Sequence, residues 1–353
     1  MDLLIDIYGT RIGATGERIV LSMPKPLDQK KPRAKRRKRG TVKREYEKRE
    51  YPIRRLDKIV ILRPASLTTH AVRLALEHDV DIVYLGAFGK PIGRFFSSEP
   101  KGLATLRKAQ LEASNDSIRS FELARTFVKG KCANQISHVR YLAFKYKQDF
   151  SAEILQMRTM LDSIGLLRPN SAKDDKSKEQ LLGIEGYIAD RYFHCLRRVS
   201  KFPGRIPQGR DKHNSMLNYG YGILYNEVER ACLYVGLDPY LGLYHTEAYG
   251  KPALVLDLVE EFRVPLVDIA LFPFFIDGQV GKRKLFHKMA KGEYQLSAEG
   301  KALVVEAVMK RLHGEVSWDG KRYTLKQVIE MQIRSLGRYF TGAEKGYQAY
   351  QHE

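Results

Sequence analysis

Residues 81–116 read DIVYLGAFGKPIGRFFSSEPKGLATLRKAQLEASND, and the chain changes character in the middle of them. Up to Phe96 the apolar residues come in runs of four to eight rich in Ile, Val, Leu and Tyr, bounded by Gly and Pro, which is the pattern of β-strands. Beyond Pro100 the apolar positions recur at spacings of three and four, through Leu103, Leu106, Ala109 and Ala113 with Gln110 among them, which places them on one face of a helix. Strands before the switch and helices after it predict an α+β fold. A small N-terminal β-rich domain is expected over residues 1–96 and a larger all-α domain over 97–353.

Upstream, the runs LLIDIYG, RIVLSM and KIVILR extend the strand pattern, with one helical stretch at about Thr68–Glu77. Downstream, Phe121, Ala124 and Val128 continue the helical one, and a further helix is expected near Leu155–Ile164. The polar stretch PNSAKDDKSKEQ then leads to a helix opening at Leu181, and FPGRIPQGRDKH breaks the helices again with two Pro and two Gly. NSMLNYGYGILYNEVERACLYVG reads as a long helix closed by Gly236. Pro252 begins the next helix, where its missing N–H costs nothing. LSAEGKALVVEAVMKRL and TLKQVIEMQIRSLGRYF supply the last two.

With 353 residues and 43% hydrophobic content, the chain has enough apolar surface for two cores. Its 61 Lys and Arg against 41 Asp and Glu give a net charge of +20, which favours polyanionic partners, nucleic acid first among them. The excess is concentrated. Between Lys30 and Arg55 there are fourteen basic and three acidic residues, eleven of the twenty net charges. Residues 24–52 therefore read as a solvated basic insertion, and Tyr46 and Tyr51 among the cations suggest a nucleic-acid-contacting arm. A second basic segment carries Lys201, Arg205, Arg210 and Lys212, which could line a DNA track. Cys132, Cys195 and Cys232 have no paired spacing, so neither a disulfide framework nor a thiolate zinc site is expected, and a reducing cytoplasm fits. No run of about 18 apolar residues marks a membrane span.

The candidate chemistry lies in three segments, Glu185 in LLGIEGYIADRYF, His245 in LGLYHTEAYG, and Asp257 with Glu260 in ALVLDLVEEFR. The acids stand out because their surroundings are so apolar that a carboxylate there needs a compensating partner. Asp257 and Glu260 share a helix face by their spacing of three, while Glu261 and Arg263 read as exposed surface. A cap or an intrahelical ion pair also accounts for either acid taken alone, and spacing does not show that the three segments meet. If they do, two or three carboxylates with one imidazole suit Mg²⁺ or Mn²⁺.

These residues also carry a resemblance. GIEGYIADRYF, NSMLNYGYGILYNEVERA, GLDPYLGLYH, LVLDLVEEFRVPLVD, ELARTFVKGKCANQ and the strand pair DIVYLGAFGKPIGRF, in this order, resemble the CRISPR-associated adaptation integrase and endonuclease family, the larger protein of the spacer-acquisition complex. The resemblance implies a metal site formed by Glu185, His245 and Glu260, with Asp257 adjacent as a possible supporting residue. It implies a cytoplasmic homodimer formed through the N-terminal domains, with two dimers bridged by a small ferredoxin-like partner dimer. The implied reaction joins the 3′-hydroxyl of a captured DNA fragment to the repeat boundary of a CRISPR array. A transposon-borne or stand-alone metal-dependent DNA nuclease or integrase of the same fold is the alternative enzyme, and a DNA-organising protein without activity is the alternative class. Against the family pattern, Met23–Pro52 replaces a short turn, so additional DNA or partner contact is expected there.

Overall fold

The computed structural model describes residues 2–5, 7–25, 45–56, 58–61, 63–85, 91–95, 103–168, 176–245, 250–281, 283–289 and 292–352. Contacts divide the chain into two compact units, Met1–Lys101 and Gly102–Glu353, a few residues beyond the expected boundary after Phe96.

Among its described residues the first unit holds two four-stranded sheets and one α-helix. Strands β1 (Asp2–Ile5), β5 (Lys58–Ile61) and β7 (Asp81–Leu85) run parallel, and β8 (Pro91–Phe95) closes that sheet antiparallel to β7. Parallel neighbours need a crossover, and between β5 and β7 it is made with helix α1 (Thr69–Glu77), whose first turn is capped by the Thr68 hydroxyl accepting from Ala71 N–H at 3.2 Å. The second sheet runs in the order β4 (Tyr46–Pro52), β3 (Arg18–Pro24), β2 (Arg11–Thr15), β6 (Ser66–Leu67). Alternation along β3 buries Ile19, Leu21 and Met23 on one face, where they join Ile12, Ile53, Ile59 and Ile82 in the core of this unit.

Strand β4 corrects the expectation of a solvated loop over 24–52. Residues 46–52 pair antiparallel with β3 along its whole length, Arg18 opposite Pro52 and Pro24 opposite Tyr46. The segment YEKREYP is a strand without an apolar alternation because it lies at the sheet edge, where charged side chains remain in water. Tyr46 lies under the Arg11 guanidinium at 4.5 Å, and Tyr51 packs on the unit's core. Of the basic arm expected within residues 24–52, residues 26–44 fall outside the described residues.

The second unit is mainly helical, as expected, with two small hairpins added. Its helices are α2 (Leu103–Asn115), α3 (Ser117–Tyr146), α4 (Ser151–Ile164), α5 (Lys176–Val199), α6 (Lys212–Val235), α7 (Ala253–Val259), α8 (Ile269–Ile276), α9 (Ala298–Leu312) and α10 (Leu325–Phe340). Hairpins β9–β10 (Phe286–Lys288, Tyr294–Leu296) and β11–β12 (Glu315–Trp318, Lys321–Thr324) lie before and after α9. Asp116 caps α3 and Asp211 caps α6 through their carboxylates, and Gly236, in the left-handed region at φ 96°, ends α6. The 30-residue α3 packs against α2, α4, α5 and α7. Phe127, Tyr192, Phe262, Phe272 and Tyr350 are fully buried in its core, each contributing on the order of 2 kcal/mol in apolar burial.

The helix expected to begin at Pro252 ends at Val259, and a wider turn joins it to α8. Pro265 has no N–H for the carbonyl of Glu261, so the α-helical ladder fails there, and Arg263–Asp268 winds as a π-helix before α8. The freed Glu261 carbonyl is taken by Asn134 Nδ2 of α3 at 2.8 Å.

Candidate active site

Two sets of hydrogen bonds shape the loop that carries His245. From one side, α2 and α3 hold its carbonyls: Gln110 Nε2 donates to Asp238 O at 2.9 Å and Leu241 O at 3.1 Å, Ser114 donates to Gly242 O at 2.7 Å, and Ser120 donates to Leu243 O. From the other side, the buried carboxylate of Asp257 collects its N–H groups. Oδ2 accepts from Leu243 and Tyr244 at 2.7 and 3.1 Å, and Oδ1 accepts from His245 N–H at 2.9 Å. The same Oδ1 lies 2.7 Å from His245 Nδ1. Asp257 thus fixes the ring with Nδ1–H as donor and leaves Nε2 as the nitrogen with an available lone pair. Burial lowers the basicity of this imidazole, but the Asp257 bond and the charges of Asp257, Glu260 and Glu185 outweigh it and raise its pKa above the ordinary value.

Glu260 follows the last residue of α7, where the chain is still helical, and its side chain is 5% exposed. Its Oε1 is 2.8 Å from Arg263 Nη2, and its Oε2 is 2.7 Å from Lys131 Nζ of α3. The Lys131 contact is an ion pair, and the buried Oε2 has no further partner among the described residues. Burial alone would raise the pKa of Glu260; the charges of Arg263 and Lys131 prevail and hold it down to about 2. Glu185 on α5 contacts the same Lys131 ammonium through Oε1 and accepts from the Tyr244 hydroxyl through Oε2 at 3.1 Å. Lys131 is buried, which disfavours its charge, but Glu260 and Glu185 more than compensate and raise its pKa.

The structure therefore brings the predicted residues into one locality. Glu185 and Glu260 share a cation, Tyr244 links Glu185 to the residue before His245, and Asp257 orients the imidazole. Among the described residues no three His, Cys, Asp or Glu side chains are placed to hold a metal ion together; the cation between the two glutamates is Lys131. A divalent cation nonetheless suits the donor set. Two carboxylates already converge on one positive charge, one carboxylate oxygen is buried with an unused lone pair, and an imidazole held by its other nitrogen stands beside them.

Beside Glu260 opens a cavity of about 580 Å³ lined by Lys131, Gln135, Arg205, Asn218 and Arg263 among others. Gln135 Oε1 and Arg263 Nε are buried there without partners. Of the four cations expected along a DNA track, only Arg205 lines this cavity; Arg210 pairs with Glu293 at 2.8 Å, and Lys212 lies over the ring of Tyr294 at 4.9 Å.

Two expectations fail just beyond α7. Glu261 and Arg263 are not surface residues. Glu261 is fully buried, and its carboxylate accepts from the Tyr347 hydroxyl at 2.6 Å and from Tyr350 N–H at 2.7 Å. Burial outweighs both bonds and pushes its pKa up to about 8. Arg263 lies over the rings of Tyr221 and Tyr225 at 5.1 and 5.7 Å while pairing with Glu260. Lys131 and Gln110 had a faint signal in the sequence, since each shares a helix face with apolar residues: Lys131 with Val128 and Phe127, Gln110 with Leu106 and Ala113.

Comparison with known proteins settles the family. The model of CRISPR associated protein Cas1 matches residues 28–310. The chain belongs to the Cas1 family. It is 36% identical over 254 residues to a CRISPR-associated endonuclease Cas1 of Pyrobaculum aerophilum, covering 70% of this chain and 80% of the relative. A second such endonuclease, from Archaeoglobus fulgidus, is 30% identical over 321 residues, covering 84% and 89%. Among solved structures, a casposase bound to integration product superposes with a TM-score of 0.71 at 25% identity, covering 98% of this chain and 97% of that one. A Cas1 protein of Thermotoga maritima shares the fold at a TM-score of 0.65 and 17% identity, covering 99% and 98%. The strand-rich first unit and helical second unit are thus the Cas1 architecture. The chain is a member of an endonuclease and integrase family, and among its described residues no helix is long and apolar enough to cross a membrane.

Proposed function

We propose that this Cas1-family chain is a metal-dependent DNA integrase and endonuclease of CRISPR adaptation, joining 3′-hydroxyl ends of captured DNA to the repeat boundary by transesterification. The observation that carries the proposal is the convergence of Glu185 and Glu260 on one cation beside an imidazole whose Nε2 is free. Glu185, His245 and Glu260 would hold Mg²⁺ or Mn²⁺. When bound, the ion would polarise a phosphoryl oxygen and stabilise the charge of the entering and leaving oxygens.

The chain's own side chains do the rest. Asp257 holds the His245 ring in one tautomer and keeps the 243–245 loop in register. Tyr244 orients Glu185 through its hydroxyl. Arg205 and Arg263 line the cavity and offer charge to phosphates, which positions a DNA end without reading its sequence. Placing the 3′-hydroxyl in line with the target phosphate is then a matter of orientation, and no covalent intermediate with the protein is needed.

The partners belong to the same proposal. DNA is supported by the cavity cations and by the likeness to a casposase solved with its integration product. Assembly with a second protein agrees with the fold shared, at a TM-score of 0.72, with a chain of a partial Cas6-RT-Cas1–Cas2 complex; a homodimer bridged by a small ferredoxin-like partner dimer is the form we propose for it. The cytoplasm, a reducing compartment, agrees with three buried free cysteines. A second reading, a transposon-borne integrase of the same fold, rests on the casposase likeness.

A strand-transfer assay on a repeat-containing plasmid tests the proposal. Joined product is expected in Mn²⁺ or Mg²⁺, none in EDTA, and none from His245→Ala. Product in EDTA, or full activity from that variant, would overturn the site. Dependence on the repeat and on the small partner identifies adaptation, whereas indifference to both identifies the second reading.

A further inference from the structure

The two carboxylates that would hold the metal are already neutralised from within the chain. Glu185 and Glu260 face Lys131 and Arg263, two negative charges against two positive, with all four side chains at least three-quarters buried. Adding a divalent cation to this set would leave two uncompensated positive charges in a poorly solvated site, which is strongly unfavourable. Two features distinguish the positive partners. Arg263 is held by the faces of Tyr221 and Tyr225 and by a hydrogen bond to the Tyr225 hydroxyl at 3.1 Å. Among the described residues Lys131 Nζ forms its ion pairs with the two carboxylates, on a flexible four-carbon stem, and it also lines the cavity in which phosphates would lie.

We propose that Lys131 is a resident counter-cation for the Glu185–Glu260 pair, displaced toward a phosphate in the adjoining cavity when a divalent cation binds, so that metal and DNA bind cooperatively. This rests on the metal reading given above. In the free protein Lys131 keeps the glutamates apart from solvent and from one another's repulsion. With DNA in the cavity the ammonium gains a second acceptor, the carboxylates lose their counter-ion, and their affinity for a divalent cation rises. By linkage the same factor tightens DNA when metal is present. Lys131 is a positioning residue for both ligands, and its effect appears in binding before any bond is broken.

The test is a Mn²⁺ titration of the full chain, followed by the electron paramagnetic resonance of free Mn²⁺, with and without a DNA duplex whose 3′ ends are dideoxy-terminated. Wild type should bind Mn²⁺ on the order of 10-fold tighter with the duplex than without. Lys131→Gln should bind Mn²⁺ on the order of 10-fold tighter than wild type without DNA, and the duplex should then add little. Its thermal midpoint should be lower than wild type without metal and recover with Mn²⁺. Wild-type affinity in Lys131→Gln without DNA overturns the proposal. Should that variant fail to fold, Lys131→Arg retains the charge in a group better suited to paired carboxylates, and it should bind Mn²⁺ more weakly than wild type; equal or tighter binding overturns the proposal. Glu260→Gln keeps the two ideas apart. Unchanged Mn²⁺ affinity in that variant places the metal elsewhere and removes the metal reading itself, whereas its loss together with an unaltered Lys131→Gln removes the Lys131 role alone.

Discussion

The two faces of the segment that follows Pro252 use the same residue type in opposite ways. On one, Glu260 lies between Lys131 and Arg263 and stays ionised far into acid, with a pKa of about 2; on the other, Glu261 faces Tyr347 and the Tyr350 backbone with no cation, and its pKa is about 8. Both are buried, so burial does not separate them. The difference is the partner: cations favour the charged form, while a hydroxyl and one N–H do not repay desolvation. A buried carboxylate signals a charge-handling site only when its surroundings supply positive charge, and this one segment contains both the rule and its control.

The sharpest way to break the comparison is Glu260→Gln against Glu261→Gln. Strand transfer should fall at least ~100-fold in the first, because residues that merely support metal ligands already cost about 10- to 100-fold, and should persist in the second. Equal losses would dissolve the distinction between the faces. Next in size, Asp257→Asn replaces the acceptor of three N–H groups and of His245 Nδ1, and Mn²⁺ affinity measured by titration calorimetry should fall about 10- to 100-fold. An unchanged affinity would show that His245 needs no orientation.

On the tail side, Asn134 ties the Glu261 and Tyr350 carbonyls to α3 and accepts from His352 N–H. Gly130 allows that approach, since a Cβ there would come within 2.5 Å of Ala349 Cβ. Asn134→Ala removes these hydrogen bonds and should cost about 1–3 kcal/mol, read as a lower thermal midpoint with little change in Mn²⁺ affinity. The smallest effect is a pH dependence. Because the pKa of Glu261 is raised on folding, its contribution to stability is fully present below its unfolded value and is lost as pH rises toward about 8. Glu261→Gln should therefore gain thermal midpoint relative to wild type as pH rises from 5 to 8. A midpoint difference that does not vary over that range would mean that Glu261 is not held protonated.

Much of this architecture was legible in the sequence, for reasons that also explain the gaps. Periodicity located α1, the switch from strands to helices near residue 100, and the end of α6 at Gly236, because burial imposes a period of two or of 3.6. It missed β4, where an edge strand has no buried face to pattern, and the π-helix at Arg263–Asp268, where a proline changes hydrogen bonding without changing composition. For the site, acids in apolar surroundings pointed to Glu185, Asp257 and Glu260, but spacing held no information on convergence among α3, α5, the 243–245 loop and α7. Lys131 escaped notice because lysine is usually solvated, and Glu261 and Arg263 were misread as surface because the C-terminal residues and tyrosine rings that cover them lie distant in sequence.

The central claim, one divalent site on the cation-facing side of α7, is tested most directly by calorimetric Mn²⁺ titration of wild type, Glu260→Gln and Glu261→Gln side by side. One ion per chain in wild type and Glu261→Gln, and none in Glu260→Gln, is the predicted result. Retained binding in Glu260→Gln, or its loss in Glu261→Gln with the fold intact, would contradict it.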